Sequence, residues 1–173
     1  LIGGTTAADR NVLVNNGANS DVTLLGAGAF SNRVQGNYFG TDATGNSAAG
    51  AVSKPISLIS SGANNVVGGS GAGEGNVFAY GLYLSNAGAG SVIQGNRIGV
   101  TADGSGVLNG QSPGVRIDSG NGVSIRDNWI ANAGGPGIWL RSGVSSTLID
   151  GNRIGTDLAG TANWGSTQHG ILL

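Results

Sequence analysis

The stretch from Gly151 to Gly160 reads Gly-Asn-Arg-Ile-Gly-Thr-Asp-Leu-Ala-Gly and is the fullest copy of a phrase that recurs along the chain. Residues 36–45 repeat it with Phe in place of Ile, and residues 95–99 repeat its first half. An Asn-x-apolar triplet occurs six times, beginning at Asn11, Asn37, Asn76, Asn96, Asn128 and Asn152. Self-similarity in a fixed order is typical of a solenoid, in which each repeat covers the apolar surface of its neighbours.

Two further sets of short apolar triplets accompany the asparagine triplets. A first set precedes the asparagines, and its apolar residues are Ile2, Val34, Val67, Ile93, Ile125 and Ile149. The asparagine triplets form the second set, with apolar residues Leu13, Phe39, Phe78, Ile98, Ile130 and Ile154. A third set follows, with middle residues Thr23, Ser57, Tyr83, Arg116, Trp139 and Leu172. Because a strand points alternate side chains to opposite faces, each triplet is predicted to be a strand of a parallel β-helix.

The three sets follow one another in strict order, which predicts six coils of three short strands. The predicted coils are approximately 1–24, 25–58, 59–84, 85–117, 118–140 and 141–173 of one domain. Sixteen residues lie between the second and third sets in the even coils, but only 8, 3 and 7 in the odd coils. This alternation predicts a repeat unit of two coils.

The asparagines are predicted to form a column that runs along the solenoid. Strands in adjacent coils lie ~4.8 Å apart, and amides stacked at that spacing can hydrogen-bond to one another and to the turn backbone. A row of polar ligand-binding groups is the alternative. We favour the structural ladder.

The composition narrows the classes of function. Glycine supplies 35 of the 173 residues, whereas only 10% of the residues are charged, which fits short strands and tight turns better than exposed helices. The net charge of −1 gives no basic surface and argues against nucleic acid as a partner. No apolar run approaches the ~18 residues of a membrane span. Cysteine is absent, which excludes disulfides. The sequence does not begin with Met, which suggests a piece of a longer translation product.

The repeated phrase carries a resemblance to a known group of proteins. Gly-Asn-x-Ile-Gly-Thr-Asp-x-x-Gly, complete at 151–160 and nearly complete at 36–45, resembles the repeats of bacterial right-handed parallel β-helix proteins of the pectate-lyase-like superfamily. The resemblance implies a single-stranded right-handed parallel β-helix. Members of that group include polysaccharide lyases, polygalacturonases, phage tailspikes and large secreted surface proteins, so fold does not fix function among them.

A weak catalytic candidate lies on the first strand. The register places Arg126 and Asp150 side by side in consecutive coils, with Asp127 next to them. The sharper interpretation is a minimal acid–base site of a polysaccharide lyase or glycoside hydrolase. The plainer interpretation, a surface ion pair, is favoured because two acids and one arginine are few for such an enzyme.

The outward column of the third strand is the best candidate for binding a ligand. Tyr83, Arg116 and Trp139 are predicted to stack in consecutive coils, where an arginine between rings makes cation–π contacts and flat rings suit sugars. Cross-strand packing is the alternative. A second outward column repeats the theme more weakly: Val12, Tyr38, Val77, Arg97, Trp129 and Arg153.

The remaining polar candidates lie in turns and loops. The long loops carry Asp42, Asp103 and Asp157, one acid each, whereas calcium takes six to eight oxygens. Turn formation therefore explains them better than metal binding, and we expect no metal or other cofactor, with calcium as the alternative. The single histidine, His169, has no predicted catalytic partner, and Trp164 is expected either to fold onto the sheet or to contact a partner.

The sequence most favours a non-catalytic role. We expect an extracellular or cell-surface β-helix segment, a fibre, stalk or adhesin scaffold, with a carbohydrate-active enzyme or carbohydrate-binding module as the alternative. No cap is visible at either end, and exposed strand edges are normally covered. The expected partners are therefore further β-helix coils, from self-stacking into filaments or from flanking sequence, and polysaccharide.

Overall fold

Short parallel strands account for all the regular secondary structure in the computed structural model, which describes residues 1–16, 20–50, 55–108, 110, 112–141 and 143–173. Within these residues the strands form three sheets and no helix occurs. Neighbouring strands in each sheet come from successive coils. The chain is therefore all-β and forms a parallel β-helix.

Each coil contributes one main strand to each sheet. The first sheet contains β1 (Ile2–Gly3), β4 (Arg33–Gln35), β7 (Val66–Gly68), β10 (Val92–Gln94), β13 (Ser124–Arg126) and β17 (Leu148–Asp150). The second contains β2 (Val12–Leu13), β5 (Tyr38–Phe39), β8 (Val77–Phe78), β11 (Arg97–Ile98), β14 (Trp129–Ile130) and β18 (Arg153–Ile154). The third contains β3 (Val22–Leu25), β6 (Ile56–Ile59), β9 (Leu82–Ala87), β12 (Val115–Asn121), β15 (Ile138–Leu140) and β19 (Ile171–Leu172), and β16 (Val144–Ser145) pairs with the end of β12.

The register is the one that the triplets predict. Ile2 pairs with Val34, Val34 with Val67, and the series continues in order to Ile149. The second and third sets align in the same way along their own sheets. Like residues therefore stack on like residues in all six coils.

The core is a stack of apolar layers inside the three sheets. Inward residues of the middle coils are fully buried, and the rings of Phe39 and Phe78 stack with centroids 4.7 Å apart. The equivalent residues of the first and sixth coils, such as Ile2 and Ile149, are half-buried, with a described coil packed against them on one side. Burying an aliphatic side chain contributes about 1.5–3 kcal/mol, so each coil depends on the coils above and below it.

The asparagine column is a continuous hydrogen-bonded ladder. Each Nδ2 donates to the Oδ1 of the next asparagine at 2.9–3.2 Å. Each backbone N–H donates to that same Oδ1 at 2.9–3.1 Å. From the second coil onward, Nδ2 also donates to the carbonyl of the inward first-strand residue one coil back, at 2.7–3.0 Å. The ladder thus satisfies amides in the buried corner between the first and second sheets.

A second, two-rung ladder lies at the opposite end of the first strand. Asn32 donates from its N–H and its Nδ2 to Oδ1 of Asn65 at 3.0 and 3.1 Å. Asn65 is fully buried and donates in turn to the carbonyls of Ala29 and Gly62. This pair was not predicted from the sequence, although each asparagine stands two residues before an aligned first-strand valine.

One departure from the repeat has a conformational reason. The residue before each ladder asparagine in the even coils is a glycine with positive φ, for example Gly95 at 68° and Gly151 at 62°. In the fifth coil Asp127 takes this place with φ of 54°. Aspartate is among the few residues with side chains that adopt this left-handed region readily, so the turn keeps its shape without glycine.

The described parts of the long loops of the even coils, residues 40–50, 99–108 and 155–165, lie over the second sheet. Each described loop doubles back through an antiparallel bridge: Thr41 with Ala48, Val100 with Val107, and Thr156 with Asn163. Leu108 on the returning limb is buried with Tyr38 and Tyr80, and Trp164 at the equivalent position stacks on Trp129. Both returning limbs therefore cover side chains of the preceding short coil.

The ladder yields the first testable prediction. Asn96→Ala removes the Oδ1 that accepts from the buried N–H and Nδ2 of Asn76, and the Nδ2 that donates to three acceptors, so we expect a loss of about 3 kcal/mol in the free energy of unfolding. The matched change Asn11→Ala removes one exposed rung and should cost about 1 kcal/mol or less. Urea unfolding followed by far-UV circular dichroism measures both losses. Equal losses at the two positions would contradict the cooperative role of the ladder.

Candidate ligand-binding face

The third sheet brings Tyr83, Arg116 and Trp139 together on its outer face. They are register partners, and the Arg116 guanidinium lies 5.4 Å from the Tyr83 ring centroid and 5.1 Å from that of Trp139. The stacking distances are within the range of cation–π contacts. The structure therefore forms the predicted aromatic–arginine–aromatic column.

Two further residues belong to this group. Asp118 accepts two hydrogen bonds from Arg116, at 2.6 and 2.8 Å, and one from the Tyr83 hydroxyl at 3.0 Å. Arg141 lies 3.6 Å from the same carboxylate and 5.3 Å from the Trp139 centroid. We call Tyr83, Arg116, Asp118, Trp139 and Arg141 the third-sheet cluster.

Asp118 is the electrostatic centre of the third-sheet cluster. The hydrogen bonds from Arg116 are the largest influence on the pKa of Asp118 and lower it, and Tyr83 and Arg141 lower it further. Its carboxylate neutralises Arg116, whose side chain is only 30% exposed. Arg141 is 46% exposed and its contact with Asp118 is longer. Its guanidinium therefore has donors free for a ligand beside the half-buried Trp139 ring.

Asp118 and Arg141 were not predicted from the sequence. Both lie two residues beyond a register position that was recognised, Arg116 and Trp139, and alternate residues of a strand share one face. Extending the outward column by two residues would have found them. The triplets were defined by their apolar residues, so the polar residues beyond each triplet were not included in the column.

The prediction that the second outward column forms a weaker copy of this ligand-binding face is wrong. Tyr38 and Trp129 are each only 8% exposed because the long loops cover them. The Trp129 indole stacks on Trp164, with centroids 5.7 Å apart, and donates from Nε1 to the Thr156 carbonyl at 2.7 Å. Trp164 thus folds onto the sheet, and the aromatic residues of this column are a second apolar layer instead of a ligand surface.

The weak catalytic candidates come together only in part. Arg126 and Asp150 are register partners, but no ion pair joins them among the described residues. The surface ion pair expected from the sequence is therefore not formed. Asp127 accepts a hydrogen bond from Gln94 at 2.8 Å, in keeping with its place in the turn. The exposed His169 makes its contact through its backbone carbonyl, which accepts from Gly137 at 2.9 Å.

The aspartates of the long loops organise their own backbone. Asp157 accepts from the N–H groups of Thr161 and Ala162 at 2.7 and 3.1 Å, and Asp42 accepts the Thr44 hydroxyl at 2.8 Å. In the middle loop the two residue types have exchanged positions, with Thr101 at the place of Asp42 and Asp103 at the place of Thr44. There Thr101 donates to Asp103 at 2.6 Å. The two residue types can swap places because the same hydrogen bond closes the turn either way.

No group of three or more metal-ligating side chains that could hold an ion occurs in the described parts of the chain. Within those parts, no helix has the length and apolar character needed to cross a membrane. Comparisons with family models, with curated proteins and with solved structures each found no match.

The loop hydrogen bonds predict an acidic titration. The Thr101 hydroxyl, followed by the Ser105 N–H and hydroxyl, lowers the pKa of Asp103 from 3.8 to about 2. A depressed carboxyl pKa favours the folded loop above pH 3.8, and this contribution is lost as the pH falls towards 2. Carbon-detected NMR should place the midpoint near 2, and Thr101→Ala should raise it while leaving Asp42 unchanged. An Asp103 midpoint near 3.8 in the unaltered chain would refute the contact.

Proposed function

We propose that this chain is a non-catalytic structural segment of an extracellular or cell-surface protein: part of a fibre, stalk or adhesin scaffold. It would belong with the bacterial right-handed parallel β-helix repeat proteins of the pectate-lyase-like group. The observation that carries the proposal is the asparagine ladder, which runs unbroken through all six coils. Because the ladder has a rung in every coil, it stabilises the whole rod and does not mark a single functional site.

The length of the rod and the long loops on its side support the same proposal. Six coils at ~4.8 Å each give a rod roughly 29 Å long, and every added coil extends it by the same step. The long loops thicken one side with a second apolar layer that closes over Tyr38 and Trp129. A rod with a fixed register would hold an attached domain at a constant distance from the point where the rod is anchored.

Location is the direct test of this role. An antibody raised against the chain should label intact cells that produce the protein, without permeabilisation. A cytoplasmic protein detected in parallel serves as the control and should be labelled only after permeabilisation. Labelling of the chain that also requires permeabilisation would overturn the proposal.

A second candidate function, binding of carbohydrate, is favoured by the third-sheet cluster. The Trp139 ring is half-buried, lies at the surface and is flanked by the two guanidinium groups of Arg116 and Arg141. Such a ring can stack on the flat face of a sugar while neighbouring guanidinium donors bind its hydroxyl groups. Specificity would come from the neighbouring coils, since the cluster draws residues from several of them.

Affinity electrophoresis through gels containing individual polysaccharides tests this binding. We expect at least one polysaccharide to retard the unaltered chain, and Trp139→Ala to remove the retardation because the stacking surface is lost. Trp164→Ala is the matched control, since Trp164 lies over the second sheet, and should be retarded like the unaltered chain. Retardation of Trp139→Ala equal to that of the unaltered chain would exclude this face as the binding surface.

A further inference from the structure

A small open cavity lies on the outer face of the first sheet, away from the third-sheet cluster. Its volume is about 220 Å³, and it is lined by the outward, half-buried side chains of Val66 and Val92, which are register partners. Arg33 of β4 and Arg126 of β13 also line it, on either side of the two strands that carry the valines. The cavity therefore places an apolar surface between two cationic groups.

Neither arginine of this cavity is neutralised by the described residues. Arg33 and Arg126 form no ion pair, side-chain hydrogen bond or ring contact there, whereas Arg116 on the third sheet has Asp118 as its partner. The Nε of Arg126 is also enclosed by protein and has no acceptor. A buried donor without an acceptor is unfavourable, and such a group is often explained by a bound water or ion. The two guanidinium groups are thus available to an anion.

One acid, Glu74, shares the cavity with the two arginines. Its Oε2 accepts the Gly71 N–H at 2.7 Å, so its carboxylate is held by its own turn, and it forms no ion pair with any described residue. Two arginines and one glutamate leave the lining with a net charge of +1. This charge suits a ligand group with one negative charge better than a group with two.

The two arginines also select the shape of the anion. A planar carboxylate has two oxygens and is satisfied by one bidentate arginine, whereas a tetrahedral group with three free oxygens can accept from two. A second negative charge would lie near Glu74 without a balancing cation. A sulfate ester is tetrahedral, has three free oxygens and carries a single charge. Its carbon substituent can contact the valine side chains.

We propose that this cavity on the first sheet binds a sulfate ester group, with Arg33 and Arg126 as its donors. The site goes beyond the functions proposed above, because it lies on another sheet from the third-sheet cluster and takes a charged group. The ester can belong to a small molecule or to a sulfated polysaccharide, since the cavity is open. The chain has a net charge of −1, so it has no general attraction for polyanions that would replace this site.

Nuclear magnetic resonance of the arginine Nε–Hε groups tests the site with methyl sulfate as the probe. At constant ionic strength, methyl sulfate should shift the Arg33 and Arg126 signals saturably and leave Arg153, on the second sheet, unchanged. Arg126→Gln should weaken binding about tenfold or more, because it removes charge-assisted donors. Arg153→Gln changes the net charge equally and should bind like the unaltered chain. Shifts that do not saturate, or that are equal at all arginines, would overturn the proposal.

Glu74→Gln provides a test that a folding defect cannot imitate, because a gain of affinity is expected. Removing the like charge should strengthen the binding of methyl sulfate about three- to fivefold, and that of the doubly charged inorganic sulfate by more. Acetate, which is planar, should bind the unaltered chain more weakly than methyl sulfate. Unchanged affinity in Glu74→Gln, or tighter binding of acetate, would contradict the assigned charge and shape.

Affinity electrophoresis through dextran sulfate, with uncharged dextran as the control, distinguishes the two sources of the ester. Retardation by dextran sulfate alone, lost in the double variant Arg33→Gln/Arg126→Gln, supports a sulfated polymer. Saturable binding of methyl sulfate without this retardation supports a small molecule. Retardation that persists in the double variant would place polyanion binding elsewhere and overturn the proposal. None of these results affects the surface labelling or the Trp139→Ala experiment, so the proposals fail separately.

Discussion

The amide of the ladder asparagine is the constraint on which the rest of the structure depends. A solenoid turns its backbone through a buried corner once per strand, and the polar groups at such a corner require partners. One asparagine per coil meets this requirement by bonding forwards to the next amide and backwards to a strand carbonyl. Because each amide needs the same residue above and below it, the ladder fixes which residues of adjacent coils meet. The apolar layers follow that register.

The two-coil repeat has a geometrical origin in the loops. A loop that doubles back has two limbs, and paired strands are ~4.8 Å apart, about the separation of adjacent coils. A doubled loop therefore occupies the width of two coils on the second sheet. If every coil carried one, the loops would collide, so long and short connections alternate. Asn132 of the fifth coil binds two of these loops at once, through bonds with the carbonyls of Leu108 and Trp164 at 2.7 and 2.8 Å.

The features that repeat were predictable from the sequence, and those that occur once were not. The register, the inward residues and the ladder follow from residues in fixed order, since identical positions in a parallel stack must coincide. The burial of Trp129 was not predictable, because it depends on where a sixteen-residue connection folds and the triplets say nothing about that path. Asp118 and Arg141 were missed because they carry no apolar signal. Asp127 broke the glycine pattern while keeping the backbone conformation that the pattern encodes.

The side faces and the interior of the rod answer to different physical demands. Inside the rod, each residue must match the equivalent residues of the adjacent coils, because the paired strands, the apolar layers and the ladder all require the same register. A side face is free to vary, since outward side chains at most of its positions do not enter the core. The third-sheet cluster uses that freedom, but it still depends on the ladder. Tyr83, Arg116 and Trp139 come from three successive coils, so a slip of one residue between coils would move Arg116 from between the two rings. The register that stabilises the rod is therefore also what assembles the third-sheet cluster.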